Sequence, residues 1–194
     1  MLRVSTDTRQ LMTKPKWLTQ TLKDLKRHEG FREYAYPDPL SVLGRRYRGA
    51  KYQWGYRPAR QILAELGEKD INGQPWTVGY GFTHGVTPDT RMSQEQADQR
   101  LEIEILEHVR GLNKIYPDWE IEPLFVSTVL ANMVFNMGTV RLAKFAPTLA
   151  TIKARKYEEA AARLERTAWY KQTGSRAQEL VRRIRYQTID PKHI

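Results

Sequence analysis

The sequence predicts an α+β fold: a small N-terminal lobe carrying strands, and a larger helical C-terminal lobe, joined by a long helix. Three observations predict it. Two short segments, 31–38 and 76–83, concentrate Tyr, Phe, Trp, Thr and Val, residues that pack well on a half-buried pleated surface. From about Ser93 onward, apolar residues recur at helical spacing. One segment of that second half, opened by Pro123, is apolar almost all round, as a central, buried helix must be.

The elements follow in order. Residues 1–16 read as an arm that runs through Pro15. Residues 17–194 form a single domain, with an N-lobe over about 17–92 and a C-lobe over about 93–194. Trp17, Leu18, Leu22 and Leu25 give the first helix its apolar face, and Gly30 supplies the left-handed stop. Pro58 to Gly67 reads as a short helix, with Pro at its start, Ile62, Leu63 and Leu66 inward, and Gly at its end. Ser93-x-x-Gln96 forms a capping box. Leu101, Ile105, Val109, Leu112 and Tyr116 then run along one face of the expected bridging helix, Ser93 to Tyr116. Leu124 to Met137 is the central helix, closed by Gly138. Pro147 begins another, and Tyr157 to Arg166 and Ser175 to Tyr186 complete the set.

The chain has 194 residues, 40% hydrophobic and 28% charged. That is enough apolar residue for one real core, and the periodicity argues against disorder. There is no cysteine, which excludes disulfides and thiolate metal sites. Residues Met1 to Lys16 are polar and basic, unlike a signal peptide, and no segment reaches the length of a membrane span. The formal net charge of +10 suits an anionic partner: nucleic acid, membrane or cell wall.

Chemistry concentrates at two carboxylates. Glu29 continues the Leu18 series and is expected on the buried face of the last helical turn, where burial and the negative helix end favour a protonated carboxyl. Asp38 follows in a turn, in Tyr34-Ala35-Tyr36-Pro37-Asp38. One carboxyl held protonated and one held ionised is the equipment of glycoside hydrolysis. Between Asp38 and the Trp76–Gly81 segment lies 39–75. Its Gly44–Tyr56 stretch interleaves Arg45, Arg46, Arg48 and Lys51 with Tyr47, Tyr52, Trp54 and Tyr56, and holds no acid. Such a stretch can grip a polyanion or stack on sugar rings. It can equally be a packed insertion whose cations face water. Arg176, Arg182, Arg183 and Arg185 gather near the C-terminus, either as further affinity for an anionic surface or as one face of a helix with Leu180, Val181 and Ile184 inward.

Four blocks, in order, resemble the T4-type phage lysozymes, the endolysins of glycoside hydrolase family 24. They are His28-Glu29-Gly30-x-Arg32-x-x-x-Tyr36-x-Asp38, then Trp76-Thr77-Val78-Gly79-Tyr80-Gly81, then Asn132 to Gly138, then Trp169-Tyr170-x-Gln172-Thr173-x-x-Arg176-Ala177. The resemblance implies a lysozyme-like fold and hydrolysis of the β-1,4 bond between N-acetylmuramic acid and N-acetylglucosamine. It implies Glu29 as general acid, Asp38 as the carboxylate that orients water, and Thr77 as the hydroxyl that helps hold it. Tyr36, Asn136 and Trp169 then line the saccharide cleft, with Arg176 beside the acid. Three departures stand out. Asp38 and Thr77 lie 39 positions apart, which makes 39–75 an insertion at the rim, with Asp70 inside it. Phe82 replaces a histidine of a structural ion pair, with His84 nearby. Asn136 replaces a longer amide.

The resemblance implies peptidoglycan as the partner and a monomer; the basic charge suits an anionic envelope, and no cofactor or metal is expected, since the oxygen and nitrogen ligands do not cluster at ligand spacing. The protein would stay in the host cytoplasm until a holin-like pore releases it to the wall, or travel in a virion. Three readings compete. A catalytically idle wall binder or virion part would not need the intact Glu29, Asp38 and Thr77. A lytic transglycosylase would use Glu29 without the water-holding pair. A nucleic-acid binder has no zinc spacing or RNA-binding segment to support it.

Overall fold

The structure, a computed structural model, describes residues 13–69 and 72–190. Most of the arm, residues 1–12, and Asp70 lie outside the described residues. The element order is α1 (Lys16–Glu29), β1 (Arg32–Pro37), α2 (Val42–Arg46), α3 (Ala59–Glu65), β2 (Trp76–Gly79), α4 (Gln94–Val109), α5 (Leu112–Ile115), α6 (Leu124–Ala143), α7 (Ala146–Lys153), α8 (Tyr157–Glu165), α9 (Ala168–Thr173) and α10 (Ser175–Tyr186). This is the α+β arrangement expected of a lysozyme-like chain.

The core is organised around α6. Every residue from Phe125 to Val134 is buried, so the helix makes contact on all sides. α1, α4, α5, α7 and α10 all pack against it. Leu130 and Met133 are almost wholly buried, each worth about 1.5–3 kcal/mol relative to exposure. Gly138, at φ 75°, leaves the helical region and kinks the element where the expected stop lies.

The expected bridging helix is not continuous. α4 ends at Val109, and α5 restarts at Leu112. The break falls at Gly111, where a Cβ would lie 1.8 Å from Thr139 Oγ1. The backbone must come that close to the region beyond the kink, and the turn at Gly111 allows it. The Ser93 capping box forms as read. The sheet is a two-stranded antiparallel pair, with Tyr36 opposite Thr77 and Pro37 opposite Trp76. The second strand is shorter than the expected 76–83. It ends at Gly79 because the chain turns back on itself and Val78 pairs with Phe82.

Three of the four C-terminal arginines, Arg176, Arg183 and Arg185, are paired with carboxylates, and Arg182 is exposed. Leu180, Val181 and Ile184 are buried as read, but Arg183 is buried too, with its side chain 3% exposed. It grips Asp24 of α1 with two bonds of 2.5 and 2.9 Å. Arg185 pairs with Glu158 and Glu165. Glu179 of α10 accepts from Arg27 at 2.7 Å, lies 3.0 Å from His28 Nε2, and also pairs with Arg183. An ionic seam therefore fastens the last turns of α1 to α10.

Burial alone would raise the Glu179 carboxyl. Hydrogen bonds from His28 and Arg27, with the charges of Arg183 and Arg27, outweigh it and hold the group down to about 2, from an ordinary 4.5. A carboxylate depressed in the folded state contributes stability that is complete above pH 4.5 and lost as pH falls toward 2. Partial screening leaves this contribution on the order of 1–2 kcal/mol. Urea denaturation across that pH range should therefore show an acid loss that Glu179→Gln flattens. Equal slopes in the two proteins would exclude the seam as its source.

Candidate active site

Glu29 is the last residue of α1, and Gly30, at φ 67°, turns the chain into β1. The expected burial of Glu29 is not found: its side chain is 29% exposed. Helical periodicity sets the direction of a side chain, whereas the core ends before the helix does, so the carboxylate reaches past it. Its Oε1 accepts from Arg176 Nη1 at 2.6 Å. Arg176 is itself largely enclosed, at 11% exposed, and its Nε and Nη2 are buried without a hydrogen-bond partner among the described residues.

Asp38 follows β1 directly. Its N–H is shared between the carbonyls of Gly73 and Pro75, at 3.1 Å each. This continues the pairing of the chain past the strand end. Its Oδ1 accepts from the N–H of Leu40 at 2.7 Å, an Asx turn that fixes the carboxylate against its own backbone. The Asp38 carbonyl accepts from both Ser41 N, at 2.9 Å, and Ser41 Oγ, at 2.7 Å. Ser41 Oγ in turn caps α2 by accepting from Gly44 N at 2.9 Å. α2 sits so close that a Cβ on Gly44 would lie 1.9 Å from the Asp38 oxygen. The insertion is thus built onto Asp38, and Asp38 remains in place beside the sheet.

Thr77 is 7% exposed and pairs across the sheet with Tyr36. Directly opposed residues share a face, and so does a residue two positions on. Tyr36, Thr77 and Asp38 therefore belong to one face. Burial raises the Tyr36 phenol first; Arg32 opposes, and the charges of Glu29 and Asp38 raise it further. Tyr36 thus feels both carboxylates. On the helical side, Asn136 Oδ1 accepts from Trp169 Nε1 at 2.9 Å. The sequence-read residues fall into linked groups: Glu29 with Arg176, Tyr36 with Thr77 and Asp38, and Asn136 with Trp169.

Phe82 is buried, with the Arg100 guanidinium 4.4 Å from its ring centre. His84 is exposed and forms no ion pair among the described residues. The ionic seam at Asp24, Arg27, His28, Glu179 and Arg183 was not anticipated. Only the adjacent placement of His28 and Glu29 could have drawn attention to it. Among the described residues, no cluster of three or more His, Asp or Glu side chains could hold a metal ion.

The phage lysozyme family model matches residues 64–186, well over half of the chain. The chain belongs to the phage lysozyme family. The matched span contains Thr77, Asn136, Trp169 and Arg176, and begins after Glu29 and Asp38. The chain is also 31% identical over 86 residues to a probable T4-type lysozyme 2 of Dictyostelium discoideum, covering 44% of this chain and 49% of that protein. It thus spans about half the length of the curated relative it matches.

Gly44 gives the site a direct test. Gly44→Ala must push the Asp38 carbonyl and α2 apart. It should cost about 1–3 kcal/mol in thermal unfolding, and should impair any chemistry that depends on Asp38 more than a surface substitution such as Lys51→Ala does. An Ala variant with unchanged stability would contradict the close approach.

Proposed function

We propose that the protein is a muramidase that hydrolyses the β-1,4 bond between N-acetylmuramic acid and N-acetylglucosamine in peptidoglycan, and so lyses bacterial cells. The observation that carries this reading is the way each carboxylate is held by one oxygen. Glu29 Oε1 is engaged by Arg176 and Asp38 Oδ1 by Leu40 N. Glu29 Oε2 is then left to carry the proton for the leaving glycosidic oxygen. Asp38 Oδ2 is left to orient water, with the Thr77 hydroxyl on the same face. A carboxylate pair working through water gives inversion at the anomeric carbon.

Tyr36, Asn136 and Trp169 would line the sugar-binding cleft. The net charge of +10 would speed encounter with an anionic envelope. The protein would act on the wall as a monomer, reaching it through a pore made by another protein or as part of a virion.

The test is turbidity loss of outer-membrane-permeabilised Gram-negative cells, with mass analysis of the released sugars. Wild type should lyse them and release reducing muropeptides. Glu29→Gln should lose about 10³-fold in rate. Anhydro products would assign the reaction to a transglycosylase, and no lysis by wild type would leave a wall-binding module.

A further inference from the structure

The insertion between Asp38 and β2 is docked at several points. Ser41 and Gly44 seat it on Asp38. Gly55 O accepts from Tyr34 N of β1 at 3.0 Å, and a Cβ on Gly55 would meet the Arg32 side chain at 2.7 Å. Trp54 lies edge-on to Trp76 of β2, with ring centres 6.2 Å apart. Such contacts make the insertion a fixed wall of the site.

The arginines of that wall divide into two sets. Arg46 pairs with Glu68, Arg57 with Glu65, and Arg60 with Asp89. Arg45 and Arg48 are exposed and have no carboxylate partner among the described residues. Their position is defined nonetheless. Arg45 lies on α2, whose backbone is pressed against Asp38. Arg48 Nη2 donates to Pro39 O at 3.3 Å, so its guanidinium stands beside the residue that follows Asp38. Leu40, 72% exposed, follows Pro39 directly and adds apolar surface there, whereas the Tyr56 ring is covered by the Arg32 guanidinium at 4.4 Å.

Two exposed guanidinium groups without a carboxylate partner call for carboxylates, which they match bidentately and which Lys serves less well. The glycan repeat presents hydroxyl and acetamido groups, and in stemmed strands the lactyl carboxyl of muramic acid is consumed in the amide bond to the peptide. On the substrate proposed above, the free carboxylates are those of the peptide stems that hang from muramic acid. We infer that the insertion recognises peptidoglycan stems, with Arg45 and Arg48 binding a stem carboxylate and Leu40 receiving an apolar side chain of the stem. This rests on the muramidase reading and specifies which glycan strands the site prefers: those still carrying peptide.

The test compares intact sacculi with the same glycan strands stripped of stems by an amidase and then amidated at the lactyl carboxyls so exposed, using the full chain. Wild type and Arg45→Ala/Arg48→Ala are measured for co-sedimentation with each substrate and for kcat and KM on each. Wild type should prefer the stemmed strands. In the double variant, the ratio of kcat/KM on stemmed over stripped strands should fall roughly tenfold, through KM, and the preference in sedimentation should fall with it. Arg48→Lys should restore part of the preference when placed with native Arg45. An unchanged ratio would overturn the inference, as would equal losses on both substrates, which would assign the cations to glycan or to envelope phosphates. If wild type cleaves neither substrate, the muramidase reading fails, and the sedimentation preference still decides the role of the two arginines.

Discussion

The arrangement of the site depends on the ionic seam between α1 and α10. Both helices pack on α6, but apolar packing is non-directional and tolerates sliding. The Asp24–Arg183 pair, almost fully buried and doubly bonded, does not. Charges taken out of water demand their partners in one geometry, and losing either one leaves the other uncompensated, at about 3–5 kcal/mol. Glu179 extends the pairing to Arg27 and His28, so the register of α10 is fixed against the very turn of α1 that ends in Glu29. Arg176 lies one helical turn before Glu179 on the same helix. The contact between Arg176 and Glu29 is thus a consequence of a seam that begins deeper in the protein.

Asp38 is placed by quite different means. No buried ion pair holds it. Its backbone is fixed by Gly73, Pro75 and Ser41, and its carboxylate by Leu40 N. These are local hydrogen bonds from the sheet end and from the insertion. One carboxylate is thus set by contacts across the helical core and the other by the insertion, and Tyr36 lies within reach of both charges. An insertion so placed is part of what positions Asp38, and its two unpaired arginines face outward from the same wall.

Much of the fold was legible because periodicity reports which side of a helix is apolar. α1, the all-round apolar α6 and the inward face of α10 were readable in this way, as was the Ser93 cap. α2 and α9 were not, since helices of five or six residues are too short to form on their own and exist through tertiary contact. The break at Gly111 depends on how close Thr139 comes, which no local pattern records. Glu29 was read as buried because a face was legible and the edge of the core was not. The C-terminal arginines were read as a cluster, yet three of the four are paired, two of them across long stretches of chain such as the 159 positions between Asp24 and Arg183. Composition counts charges and is silent on partners. At the site, local sequence singled out Glu29 and Asp38, whereas Thr77, Arg176, Asn136 and Trp169 emerged only through the family resemblance.

The seam thus positions Glu29, the proposed acid. The most direct measurement of this is kcat and KM of Glu179→Gln on sacculi near pH 6, well below the variant's melting temperature. The account predicts a fall in kcat of about tenfold or more with little change in KM, because a displacement of the reacting group by about 1 Å costs rate rather than binding. A variant that melts earlier yet turns over at the wild-type rate would contradict it, and would reduce the seam to a stabilising contact remote from the chemistry.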